Sequence, residues 1–106
     1  MRIKKGVVTF GMRPEMMLAV AVADSVIHEM LGHGATITSV TEGKHGSIVH
    51  SIGCGIDIRT RANKGGSAQW SIDMKKRITA MITDRLNEEF DVVLESNHIH
   101  IELDRR

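Results

Sequence analysis

Apolar residues recur at helical spacing in two segments of this 106-residue chain. In the first segment they return every three or four positions, which places them on one face of a helix. The members of this set are Met16, Val20, Ala23, Ile27 and Met30. Pro14 suits the first turn of a helix, and Gly32 and Gly34 suit its end. The pattern predicts a helix from about Pro14 to Leu31.

The second apolar stripe continues over roughly five helical turns and has charged residues on its other side. Its members are Trp70, Met74, Ile78, Met81, Ile82 and Leu86. Ser67 precedes the stripe, where its hydroxyl can cap the helix by accepting a backbone hydrogen bond. Lys75, Lys76 and Arg77 lie off the apolar stripe, so we expect them to face solvent.

Strands are predicted where apolar and polar residues alternate, at about residues 35–40, 55–60, 91–95 and 98–103. In the last of these, His98, His100 and Glu102 share one face, opposite a run of aliphatic residues. The order of helix, strands, helix and strands predicts an α+β domain that spans residues 1–106. We expect a mainly antiparallel sheet with both helices on one face and the histidines on the other.

Composition excludes several classes of function. The net charge is only +1, which gives no long-range attraction to nucleic acid or a membrane. Three aromatic residues are too few to form a base-stacking platform. Cys54 is the only cysteine, so no intrachain disulfide can form. No signal peptide is evident and no apolar run reaches the ~20 residues of a membrane span, so we expect cytosolic synthesis.

Two distant segments carry residues typical of a metal site. The first holds His50 and Asp57 at a spacing of seven positions, among several glycines, and the second holds Glu95, His98 and His100. A catalytic zinc commonly takes three nitrogen or oxygen ligands and leaves a fourth position for water. We expect His50, Asp57 and His100 to bind one Zn²⁺. Glu95 is the predicted general base, and His98 would stabilise the oxyanion or assist as a base.

These residues resemble the motifs of the zinc D-Ala-D-Ala metallopeptidase family and of its structural relatives, the hedgehog N-terminal signalling domains. The first family motif, His-x-x-Gly-x-Ala-x-Asp, is similar to the segment from His50 through Gly53 to Asp57, with Gly55 in place of alanine. The second, a carboxylate followed shortly by His-x-His, is similar to the segment from Glu95 to His100. The resemblance covers about residues 35–104.

The resemblance implies a peptidase that cleaves stem or cross-bridge peptides of peptidoglycan, as in small single-domain phage lysis enzymes. It also implies zinc bound by His50, Asp57 and His100, with Glu95 as the base; some relatives would select His98 as the third ligand. We expect a monomer that acts on the cell wall after release or delivery, without nucleic-acid or membrane partners.

Two other functions remain open at this point. Hedgehog-like relatives suggest a non-catalytic binding domain that zinc stabilises. Metal-dependent nucleases also use histidine-rich strands, but the near-neutral charge and the lack of a basic run argue against one here.

Overall fold

The computed structural model describes residues 1–4, 14–42, 52–61 and 68–103. Within these ranges the chain forms an α+β domain with two helices and one five-stranded sheet. The helices are α1 (Pro14–Leu31) and α2 (Ile72–Arg85). The strands are β1 (Arg2–Ile3), β2 (Thr36–Glu42), β3 (Ile52–Arg59), β4 (Phe90–Leu94) and β5 (His98–Leu103).

The sheet is mixed, with the strand order β1-β2-β3-β5-β4. Three of its pairs are antiparallel, and β1 runs parallel to β2. The prediction of a mainly antiparallel sheet therefore holds for the three antiparallel pairs, while the parallel pair was not foreseen. This order places β3 at the centre of the sheet, with β5 directly beside it.

Helix α1 has the predicted bounds, Pro14–Leu31. The backbone N–H of Gly32 donates to the carbonyl of His28 at 2.9 Å, and Gly32 adopts a positive φ of 77°. A glycine takes this conformation without the clash that a Cβ atom causes, so the helix ends here.

Helix α2 begins later than its apolar stripe suggested. It starts at Ile72, and the hydroxyl of Ser71 caps it by accepting the backbone N–H of Met74 at 3.1 Å. Trp70 therefore precedes the helix, although its side chain still packs against the core. Ser67, the predicted cap, lies outside the described residues.

Lys75 corrects the prediction that the polar side of α2 faces solvent. Its side chain is buried, and its Nζ donates to the carbonyl of Ser96 at 2.9 Å. The neighbouring Lys76 and Arg77 are exposed, as expected. The long aliphatic stem of a lysine can pack on the core while its ammonium reaches a polar partner.

One face of the sheet packs against both helices and forms the core. Fully buried aliphatic residues of β3 and β5 meet the buried residues of α1 and α2 there: Ile56, Ile58, Ile99 and Ile101 from the sheet, and Val26, Ile27, Ile78 and Ile82 from the helices. The intervening residues of β3 and β5 point to the opposite face, as strand alternation requires. In the described part of the chain, neither helix is long and apolar enough to cross a membrane.

Candidate functional site

Asp57 and His100 lie at the centre of the face opposite the helices. They are direct partners in the antiparallel register of β3 and β5. Residues that face each other in such a pair have Cβ atoms about 5 Å apart, so their side chains can touch. Oδ1 of Asp57 lies 2.6 Å from Nδ1 of His100, which is a short, charge-assisted hydrogen bond.

His98 approaches the same carboxylate oxygen from one position further along the face. Its Nε2 lies 3.5 Å from Oδ1 of Asp57. Its Nδ1 lies 2.7 Å from Oδ1 of the adjacent Asn97, so this amide contact orients the ring. One oxygen of Asp57 therefore lies next to a nitrogen of each histidine.

Asp57, His98 and His100 form a cluster on this face of the sheet, and Glu102 is its fourth member. The sequence prediction assigned Glu102 no role. Its Oε1 lies 3.4 Å from Nε2 of His100, on the side of the ring away from Asp57. The two carboxylates flank His100 and raise its pKa; the hydrogen bond with Asp57 is the largest cause, and partial burial opposes it. His100 is thus oriented at both ring nitrogens.

Glu95 lies at the edge of this cluster, in the connection between β4 and β5. Its Oε1 is 4.0 Å from Nε2 of His98, and half of its side chain is exposed. Its backbone N–H donates to the carbonyl of His98 at 2.8 Å, which closes the turn and holds Glu95 beside the histidine. The carboxylate is close to the cluster and accessible to water and to a ligand.

The cluster carries an excess of negative charge. It contains three carboxylates, those of Asp57, Glu95 and Glu102, and two imidazoles. In the described residues, the ion pairs of these carboxylates are all with His98 and His100. Even with both rings protonated, three negative charges would face two positive ones.

Not all of the predicted ligand set falls in the described part of the chain. His50 lies outside it, two positions before β3 begins. Among the described residues, no group of three or more histidine, cysteine, aspartate or glutamate side chains is arranged to hold a metal ion. Two of the three predicted ligands, Asp57 and His100, lie next to each other. The third, His50, stays a prediction.

A polar pocket beside His98 was also missed from the sequence. It has a volume of about 580 Å³ and brings together residues from five separate segments. The described residues that line it are Lys4, Thr38, Arg59, Arg61, Gln69, Asn97 and His98. The basic residues are scattered along the chain, so no local run of charge announced them. Only Arg59 had a sequence signal, because it shares the strand face of Asp57.

No protein-family model matches this chain, and no curated protein or solved structure is significantly similar to it. The resemblance to the metallopeptidase motifs therefore remains a hypothesis based on residue spacing. The geometry around Asp57 is the independent observation on which a function can be argued.

Proposed function

We propose that this protein is a zinc-dependent peptidase that hydrolyses stem or cross-bridge peptide bonds in bacterial peptidoglycan. The observation that carries the proposal is the approach of nitrogens from His98 and His100 to a single oxygen of Asp57. The substrate class rests on the motif resemblance, as does the expectation that the enzyme acts on the cell wall after release or delivery.

The donor set fits zinc in its chemistry. Asp57 would offer a carboxylate oxygen and His100 its Nδ1, and the hydrogen bond that now joins these two groups would give way to the metal. His50 would complete the set from outside the described residues. The contact between Nε2 of His100 and Glu102 fits the usual arrangement in which a ligating histidine donates its second N–H to a carboxylate. The negative charge of the cluster favours a dication over the metal-free state.

Each remaining side chain has a role that its position supports. When bound, zinc supplies a Lewis acid that lowers the pKa of water to ~7 and polarises a carbonyl. The Glu95 carboxylate accepts the proton of the attacking water and passes it to the leaving amine. The Nε2 atom of His98 lies between Asp57 and Glu95, and in the imidazolium form of the ring it would donate a hydrogen bond to the oxygen on which negative charge develops.

The proposal is tested first by the metal content and then by turnover. Purified protein should contain about one zinc per chain by elemental analysis, as a single three-ligand site requires. It should release free amines from peptidoglycan, and a chelator should stop the release. Protein that carries zinc yet leaves walls of every tested chemotype intact would refute the peptidase assignment.

Glu95→Gln distinguishes an enzyme from a zinc-stabilised binding domain. Because Glu95 lies outside the predicted ligand set, the variant should keep its zinc and lose turnover. Glu88→Gln is the matched control, since Glu88 is an exposed glutamate in the turn before β4. In a binding domain, the wild-type protein would bind zinc without turnover and Glu95→Gln would change neither property.

The choice between the two histidines as the third ligand is tested by zinc affinity. The motif resemblance favours His100 as the ligand, because family members with a His-x-His motif generally bind the metal through the second histidine. His100→Ala should therefore abolish zinc binding, while His98→Ala should keep the metal and lower turnover. The reverse pattern would assign the metal to His98.

A further inference from the structure

Three basic side chains meet in the polar pocket beside His98, although the chain as a whole is almost neutral. Lys4, Arg59 and Arg61 line it, together with neutral polar groups and His98, and none of the described residues in its lining is acidic. The chain has a net charge of only +1, so this accumulation is local. Within the described residues, none of the three cations forms an ion pair.

Strand pairing fixes the positions of these cations. Arg59 is the register partner of His98, on the same face as Asp57. Arg61 follows at the end of the strand, where it forms a backbone bridge with Gln69. The backbone N–H of Lys4 donates to the carbonyl of Ile37 at 2.8 Å, which holds Lys4 beside β2. The pocket is thus built from the sheet itself.

An unpaired group of cations around a concave, partly buried surface is suited to an anion. Like charges in such a cleft repel one another, and a bound anion removes that repulsion. Arginine presents a planar set of donors that matches a carboxylate in two parallel hydrogen bonds. The side chains of Gln69 and Asn97 add neutral polar groups that can orient the ligand.

We propose that this pocket is an anion subsite that binds a ligand group carrying two carboxylates. Three cations can balance two negative charges, and the volume of about 580 Å³ accommodates a group larger than a single carboxylate. The inference deepens the proposed function and rests on it for the identity of the ligand as a peptide. Because His98 belongs to both sites, a peptide bound here would extend from the acidic group towards Asp57 and Glu95.

The test measures anion binding in the full chain without metal, so it does not depend on zinc. The probes are glutarate, which has two carboxylates, its uncharged analogue glutaramide, and inorganic phosphate. Titrations are followed by backbone amide NMR. Glutarate should shift the signals of Arg59, Arg61 and Gln69, whereas glutaramide should leave them in place.

Two variants and one control locate the binding. Arg61→Gln and Lys4→Gln should each weaken glutarate binding by about fivefold. That loss of affinity corresponds to the free energy of one solvent-accessible ion pair. Arg77→Gln removes an exposed arginine from α2, away from the pocket, and should not change the affinity.

Three outcomes would overturn the inference. Glutarate could leave the pocket signals unshifted, or Arg77→Gln could weaken binding as much as Arg61→Gln. Phosphate binding more tightly than glutarate would reject the carboxylate and indicate a phosphate ligand such as nucleic acid.

Glutarate binding in a protein that neither holds zinc nor cleaves peptides would reject the proposed function and leave the subsite standing.

Discussion

Replacing Lys75 by methionine tests the link between helix α2 and the turn that carries the candidate site. Lys75 is only 7% exposed, and its ammonium donates to the carbonyl of Ser96 at 2.9 Å. Ser96 lies between Glu95 and His98, so this hydrogen bond fastens the turn to the helix. Methionine keeps the aliphatic stem in the core and removes only the charged donor.

The expected loss of folding stability is the cost of the missing hydrogen bond, reduced by effects that favour methionine. Removing a hydrogen bond from a charged group lowers the free energy of unfolding by about 1.5–3 kcal/mol. Ser96 is exposed, so water can replace the donor at its carbonyl, and methionine avoids the desolvation of a buried ammonium. We therefore expect Lys75→Met to lower the free energy of unfolding by about 1–2 kcal/mol.

Urea unfolding gives the measurement, because Trp70 is the only tryptophan and its fluorescence reports on the core. Lys76→Met is the matched control, since the adjacent Lys76 is exposed on the same helix and should change the stability little. Amide signals of residues 95–98 should shift in Lys75→Met alone. Equal stability of the wild type and Lys75→Met, or an equal loss in Lys76→Met, would show that the hydrogen bond to Ser96 does not anchor the turn.

Three further predictions address the site and its support. Glu102→Ala should weaken zinc binding by about tenfold because His100 loses a carboxylate partner, and unchanged affinity in a metal titration would contradict that role. Gly32→Ala should lower the stability by about 1 kcal/mol in thermal unfolding, because alanine is strained at a φ of 77°. No atom lies within 4 Å of the new Cβ, so the backbone strain is the only cost expected. A neutral result would show that the turn relaxes. Ile99→Ala should cost about 2–5 kcal/mol in urea unfolding, because the residue is fully buried behind the site. Val93→Ala, at an exposed position of β4, should cost far less, and similar losses for both would refute the assignment of the two faces.

Local patterns along the chain were sufficient to predict most of the elements. Periodicity and end signals gave the bounds of α1, and strict alternation gave the two faces of β5. Alternation works because neighbouring strand residues point to opposite sides, so the histidine face follows from the aliphatic one. The same reasoning failed at α2, where Ser71 caps the helix and Trp70 stays outside it, because a tryptophan can pack on the core without being helical.

Residue types and their spacing along the chain were enough to indicate the side chains of a site: a carboxylate on one strand and an alternating pair of histidines on another. The pairing of Asp57 with His100, 43 positions away, follows only from the folded sheet, since the register depends on how the two strands bury their aliphatic faces. The burial of Lys75 and the pocket shared by Lys4, Arg59 and Arg61 likewise depend on the folded chain. Side chains from distant segments become neighbours only when the sheet assembles, and this proximity has no local signal in the chain.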